Sequence, residues 1–269
     1  MFEHRGLALI KPLMDRLARP LASALLCWCG AGLAQSSADA PTATARHTAQ
    51  AQLATFGEAG ARRVNPAWES EGLPADKAPR TQFDWVQLGQ DWALRLRTDG
   101  SYGLLRHAWQ DAHPALLTWR WRLDAPLEKA DITTREGDDA ALKICVMFDQ
   151  PLADIPVFQR VALTLARQVS GKDLPSATLC YLWDSRYPSG QVGSNPYSAR
   201  VRYMVINGAA SPLGQWRSHS RNLAADFAQL FGKESQLTPN VSAVVIGADS
   251  DNTRGRSLAY VQSLQWQTP

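Results

Sequence analysis

The alternation of apolar and polar positions marks a chain built mainly of β-strands. Leu117, Trp119, Trp121 and Leu123 alternate with Thr118, Arg120 and Arg122, the period of two that sends successive side chains to opposite faces of a strand. Trp92, Leu94 and Leu96 alternate in the same way with Ala93, Arg95 and Arg97. Further strands are predicted at Phe83 to Val86, in the apolar runs 141–148 and 178–183, at Val241 to Ile246, and over 199–205 and 258–266. In the 199–205 stretch, Ala199, Val201, Tyr203 and Val205 take one parity, and Arg200, Arg202 and Met204 take the outward one.

Two segments have helical period instead. Val157, Val161, Leu165 and Val169 recur every four residues, and Gly171 stands where a helix would stop. Asn222 can cap a second helix whose apolar face is Phe227, Leu230 and Phe231, with Gly232 closing it. About nine strands separated by turn residues, with two short helices in connections, predict an all-β fold with minor α content. The expected form is an antiparallel β-sandwich, jelly-roll or galactose-binding-like. Parallel βαβ winding would need a helix after most strands, and the pattern has none there.

The first 34 residues read as an address. Lys11, Arg16 and Arg19 flank an apolar run from Leu21 to Leu33, and Gly32 and Ala34 are the small residues a signal peptidase accepts. A signal peptide cleaved near Ala34 is expected, with a periplasmic or secreted destination. Met14 would make a tidier start than Met1, and an uncleaved anchor is the alternative. The run is short for a stable bilayer span, and no other stretch suggests one. Residues 35–80 are expected to be a disordered or irregular linker, and 81–269 the sandwich domain.

Composition narrows the partners. The chain is 45% hydrophobic and 20% charged, as a globular protein with a core should be. Its formal net charge is +3. The leader carries Arg5, Lys11, Arg16 and Arg19 against Glu3 and Asp15, so its removal leaves a nearly neutral domain with no electrostatic signature of nucleic-acid binding. Of four cysteines, Cys27 and Cys29 fall in the leader. Cys145 and Cys180 sit in apolar runs, either as small core residues or as one disulfide if the compartment is oxidising.

The chemistry-bearing motifs of nucleotide, serine-hydrolase and zinc-protease sites are absent. His4, His47, His107, His113 and His219 lack metal-ligand spacing, and His107 and His113 read as surface residues flanking a turn. Two acidic clusters lie at strand ends, where sites form. One is Gly137-Asp138-Asp139, with Asp131 and Glu136 nearby; the other is Asp249-Ser250-Asp251-Asn252-Thr253. Their oxygens could hold Ca²⁺, with Asp249 and Asp251 as candidate ligands, although Thr253 and Arg254 break the EF-hand pattern. As paired carboxylates they could serve glycoside hydrolysis. Equally, Asp and Asn at such places fix tight turns through their own backbone. No cofactor is otherwise expected.

Arg120, Arg122, Arg200 and Arg202 could form one cationic patch if their strands were neighbours, or pair with carboxylates on a solvated face. Trp183 ends a strand before a loop holding Tyr187, Asn195 and Tyr197, which could make a sugar-stacking platform or simply pack in the core.

Trp119-Arg120-Trp121-Arg122, Gly137-Asp138-Asp139, the Leu-x-Tyr-x-Trp of 179–183, Trp216 with Arg221-Asn222 and Asp226, Phe231-Gly232, and Asp249-x-Asp251-Asn252-Thr253 occur in one order. That ordered set resembles a family of exported bacterial proteins known only as domain of unknown function 3047. The resemblance spans about residues 83–266. Ala140, Lys143 and Ala248 depart from the family's commoner residues without removing a carboxylate. It implies an exported β-sandwich and no particular activity.

The expectation that follows is a binding or accessory sandwich for a glycan or similar envelope molecule, with the question of catalysis left open by the residues. Its ligand would lie near Asp138, Asp139, Asp249, Asp251, Asn252, Trp183 and Arg221. The alternatives are a carboxylate-dependent enzyme acting on envelope carbohydrate, and a purely structural exported domain.

Overall fold

Alternation on β5 (Leu116–Ala125) sets the architecture. Leu117, Trp119, Trp121 and Leu123 are buried while the residues between them are half-buried. The structure, a computed structural model, describes residues 52–73, 77–170 and 173–267. The expected leader, its cleavage site and the linker up to residue 51 lie outside the described residues.

Twelve strands are present among the described residues: β1 (Glu69–Glu71), β2 (Gln82–Leu88), β3 (Asp91–Asp99), β4 (Tyr102–Ala112), β5, β6 (Ala140–Phe148), β7 (Ala177–Trp183), β8 (Val192–Asn195), β9 (Ser198–Asn207), β10 (Arg217–Asn222), β11 (Val241–Asp249) and β12 (Arg256–Gln267). They form a seven-stranded sheet, β1-β4-β11-β6-β7-β9-β8, and a five-stranded sheet, β10-β5-β12-β3-β2. Every pairing is antiparallel except β7 with β9. The fold is a β-sandwich.

The inner faces meet in one core. Trp119 and Trp121 of β5 pack with Tyr181 and Trp183 of β7, and with the inward row Leu142, Ile144, Val146 and Phe148 of β6. A second apolar cluster covers the outer face of the larger sheet, where Ile132 from a loop joins Cys145, Cys180, Leu182, Tyr203, Val205 and Val245. A strand buried on both faces has no polar parity, which is why 141–148 and 178–183 read as continuous apolar runs. Cys145 and Cys180 are directly opposite in the β6–β7 register and form a disulfide.

That double coverage also overturns one sequence expectation. Arg200 and Arg202 do not face outward. They reach toward Phe231, share the Glu234 carboxylate, and Arg200 is buried. The opposite parity of β9 carries Tyr203 and Val205 into the outer cluster. Arg120 and Arg122 belong to the other sheet, over Trp216 and Tyr260 respectively. The four arginines therefore form no common patch. His107, expected beside a turn, lies inside β4, accepts a hydrogen bond from the Ala54 amide at 3.2 Å and packs against Trp68.

Residues 52–73, read as irregular, are mostly so, yet Phe56 and Trp68 are buried in the core and β1 pairs with β4. Helix α1 (Val157–Ser170) leads into β7, and α2 (Leu223–Phe231) follows β10. The Asn222 side chain accepts from the Ala225 amide and caps α2, whose Phe227 packs against Phe148 and stacks on Phe231.

Candidate functional site

The two acidic turns meet at one end of the larger sheet. Asp249 ends β11 and is opposite Ala140, the first residue of β6, so the ladder itself brings Asp139 and Asp249 together. One carboxylate oxygen from each of Asp139, Asp249 and Asp251 lies within 4.8 Å of the others.

Each of these carboxylates has a different occupation. Asp139 accepts from the amides of Asn252 at 3.1 Å and Thr253 at 2.7 Å, and from the Thr253 hydroxyl at 2.5 Å. It is buried and ties the β11–β12 turn to the start of β6. Asp249 accepts from the Ala140 amide at 2.9 Å and pairs with the Lys143 ammonium at 2.8 Å. Asp251 is half-buried, and burial followed by the Asp249 charge pushes its pKa upward. Asp138 is half-buried and accepts from the Asn195 side chain at 2.7 Å; burial raises its carboxyl too, and Asn195 pulls it back in part.

Lys143 interrupts the apolar run of β6 because it has this acidic partner. Burial lowers the pKa of its ammonium, but the charge and hydrogen bond of Asp249 outweigh that and the net shift is upward. The ammonium lies 5.5 Å from the centre of the Tyr102 ring. Space for the lysine stem comes from Gly247 across the ladder, where a Cβ would meet Leu104 and the lysine Cε at 2.4 and 3.0 Å. A lone basic residue in an apolar strand needs a carboxylate to offset its desolvation. That was the one signal in the sequence pointing to this residue.

A third loop completes the ledge. Tyr197 is exposed, donates from its hydroxyl to the Arg135 carbonyl at 3.0 Å, and lies under the Arg135 guanidinium at 5.3 Å. Asn252 donates to the same carbonyl at 2.6 Å and to the Tyr197 hydroxyl at 3.3 Å. Asp131 fixes the base of the loop through Thr133, Tyr187 and Arg186. Gly137 is required here because a Cβ would approach the Asp131 amide to 2.8 Å. Hydroxyls of Thr81, Ser101 and Ser250 lock the β3–β4 turn to the β11–β12 turn.

Asp138, Asp139, Asp249, Asp251 and Asn252 are thus gathered at one place. Trp183 and Arg221 are not part of it. Trp183 is buried against Trp121 and lines a 270 Å³ hollow with Glu128, Asp184 and Leu213. Arg221 is held by Asp226 beside Tyr181, near α2. Arg135, Lys143, Asn195 and Tyr197 are the residues of the ledge that the acidic motifs alone did not indicate.

A model of the family described as protein of unknown function (DUF3047) matches residues 66–265. The chain belongs to this family. The DUF3047 match takes in β2 to β11, nearly all of β12, all three loops of the ledge, and the packed segment around Trp68. No curated protein matches the chain in sequence. Among solved structures, it is similar to a mutant of the carbohydrate-binding module CBM29-2, at 7% identity and a TM-score of 0.34, over 81% of this chain and 92% of that one. It is also similar to a cleaved adhesin domain of Lys-gingipain from Porphyromonas gingivalis, at 9% identity and a TM-score of 0.37, over 81% and 99%. A third is the xyloglucanase domain of NopAA from Sinorhizobium fredii, at 9% and 0.36, over 74% and 98%.

Proposed function

We propose that this DUF3047 protein is an exported binding module for a polar cell-envelope ligand, a glycan foremost, and that the ligand docks on the ledge formed by the loops of Arg135, Tyr197 and Asp251. The observation that carries this reading is the pairing of an exposed, arginine-backed tyrosine ring with two half-buried carboxylates, Asp138 and Asp251, in one spot. A sugar offers an apolar ring face and a rim of hydroxyls. The Tyr197 ring suits the face, and the two carboxylates accept from the hydroxyls.

The occupation of Asp139 and Asp249 takes those two out of acid–base work and leaves Asp138 and Asp251 to face a ligand. A general acid or base must reach the proton it moves, and the oxygens of these two are engaged by amides, a hydroxyl and an ammonium. Lys143 also stands where a cation would otherwise balance the acidic trio, so in this reading Ca²⁺ has no part in ligand binding. The β6–β7 disulfide supports export, because such bonds persist in oxidising compartments.

Calorimetric titration with neutral and acidic oligosaccharides, with and without Ca²⁺, tests the proposal. Saccharide binding that weakens at least ~10-fold, about 1.4 kcal/mol, in both Tyr197→Ala and Asp251→Asn is the expected result, with the circular dichroism unchanged. No binding across the panel overturns it. Release of reducing ends that is abolished by Asp251→Asn would replace it with the carboxylate-dependent enzyme.

A further inference from the structure

Helix α1 is mounted with its apolar side outward. Gln159, Arg160, Leu163 and Arg167 make up its inner side. Gln159 accepts from Arg200 at 2.9 Å, and Arg167 donates to the Leu174 carbonyl at 2.9 Å. Leu163 is the buried residue of the helix. These contacts fix its roll. An amphipathic helix on a globular protein ordinarily buries its apolar stripe. Here Val157, Val161, Leu165 and Val169 are 59, 61, 58 and 82% exposed, and Phe158 is 90% exposed.

The patch extends beyond the helix. Leu152, in the turn that precedes α1, is 40% exposed, and Leu237 is 82% exposed. Leu237 is brought near that turn by Ser235, whose hydroxyl bonds both Asp154 and the Leu237 carbonyl. Seven of the ten exposed large apolar side chains among the described residues therefore lie in this one area. A contiguous patch of this kind marks a contact surface.

We infer that this surface pairs with the same surface of a second copy of the chain, about a two-fold axis. Two observations favour that occupant. At these exposures the seven side chains leave on the order of 800 Å² accessible, the area each partner contributes to a standard-size interface of about 1,600 Å². The four-residue row Val157-Val161-Leu165-Val169 is a ridge of the kind that interlocks with its own copy at a crossing angle of about −50°. Val161 and Leu165 lie mid-row at the crossing, with Ala162 and Ala166 beside them as small residues that permit close approach. A two-fold axis makes such a contact isologous and closed.

Sedimentation velocity of the full chain over a concentration series tests this. The wild type is expected to shift from monomer to dimer as concentration rises. Leu165→Glu and Phe158→Glu are expected to remain monomeric with unchanged circular dichroism, because both side chains are already in solvent. Val192→Glu, an exposed apolar position on β8, is expected to dimerise like the wild type. A wild type that stays monomeric throughout overturns the inference, as do glutamate variants that dimerise equally well. Co-sedimentation of a monomeric wild type with phosphatidylglycerol vesicles would also overturn it and assign the patch to a membrane.

Discussion

Lys143 decides the character of the acidic end. Three carboxylates within 4.8 Å would repel one another without a positive charge among them, and the ammonium beside Asp249 provides it. Lys143→Ala should therefore lower the melting temperature in calcium-free buffer, and millimolar Ca²⁺ should restore part of the loss. The wild type should not respond to the ion. Asp139 has a different task, since it holds two amides and a hydroxyl of the β11–β12 turn. Asp139→Asn keeps the shape but loses the charge and turns an acceptor into a donor facing donors. Urea unfolding should register a loss of about 1–3 kcal/mol. At this scale the sequence named carboxylates that the fold brings together and could not say which were spoken for. Asp139 and Asp251 look alike in a string of letters; their difference lies in amides that only the folded turn delivers.

The elements were legible where apolar residues alternate or, as in β6 and β7, run on unbroken. β5 reads directly from alternation, and α2 from its cap. β4 and β10 were missed, because Gly103 and His107 blur the apolar parity of the first, and the second is a polar edge strand. The mounting of α1 was not legible at all, since periodicity gives a stripe but not the side it faces. β10 carries a pH-sensitive residue. His219 bonds the Asn207 side chain at 2.8 Å, an oxygen that also accepts from the Trp121 indole. Burial first, then Arg221 and Arg217, lowers its pKa from the ordinary 6.5 to about 4. The unfolded chain thus takes up a proton more readily than the native state between those values, and stability should fall as pH drops from 6.5 toward 4. In His219→Gln that component should vanish, so the stability of the wild type relative to the variant in urea unfolding should fall as pH drops from 6.5 toward 4. The disulfide between β6 and β7 closes a separation of 35 residues. Replacing both cysteines by serine should cost about 2–4 kcal/mol in chemical denaturation, and adding reductant to the wild type should approach the same value.

Across the molecule, the sandwich does two things that local patterns do not announce. Its strand ladder carries turns more than a hundred residues apart in sequence to one ledge, as the bond between Asn252 and the Arg135 carbonyl illustrates. It also presents an apolar helix at a second place, independent of the ledge. β-sandwich class followed from periodicity and the turn residues; the convergence of Arg135, Tyr197 and Asp251 followed from register, which a single sequence leaves open. The most direct test of the ledge as a binding surface is amide chemical-shift mapping of the isotope-labelled protein during titration with the oligosaccharide that binds best. Shifts concentrated at Arg135, Asp138, Asn195, Tyr197 and Asp251 are the predicted result. Saturable shifts clustered elsewhere, for example around Trp183 and Leu213 or on the outer face of the five-stranded sheet, would contradict it.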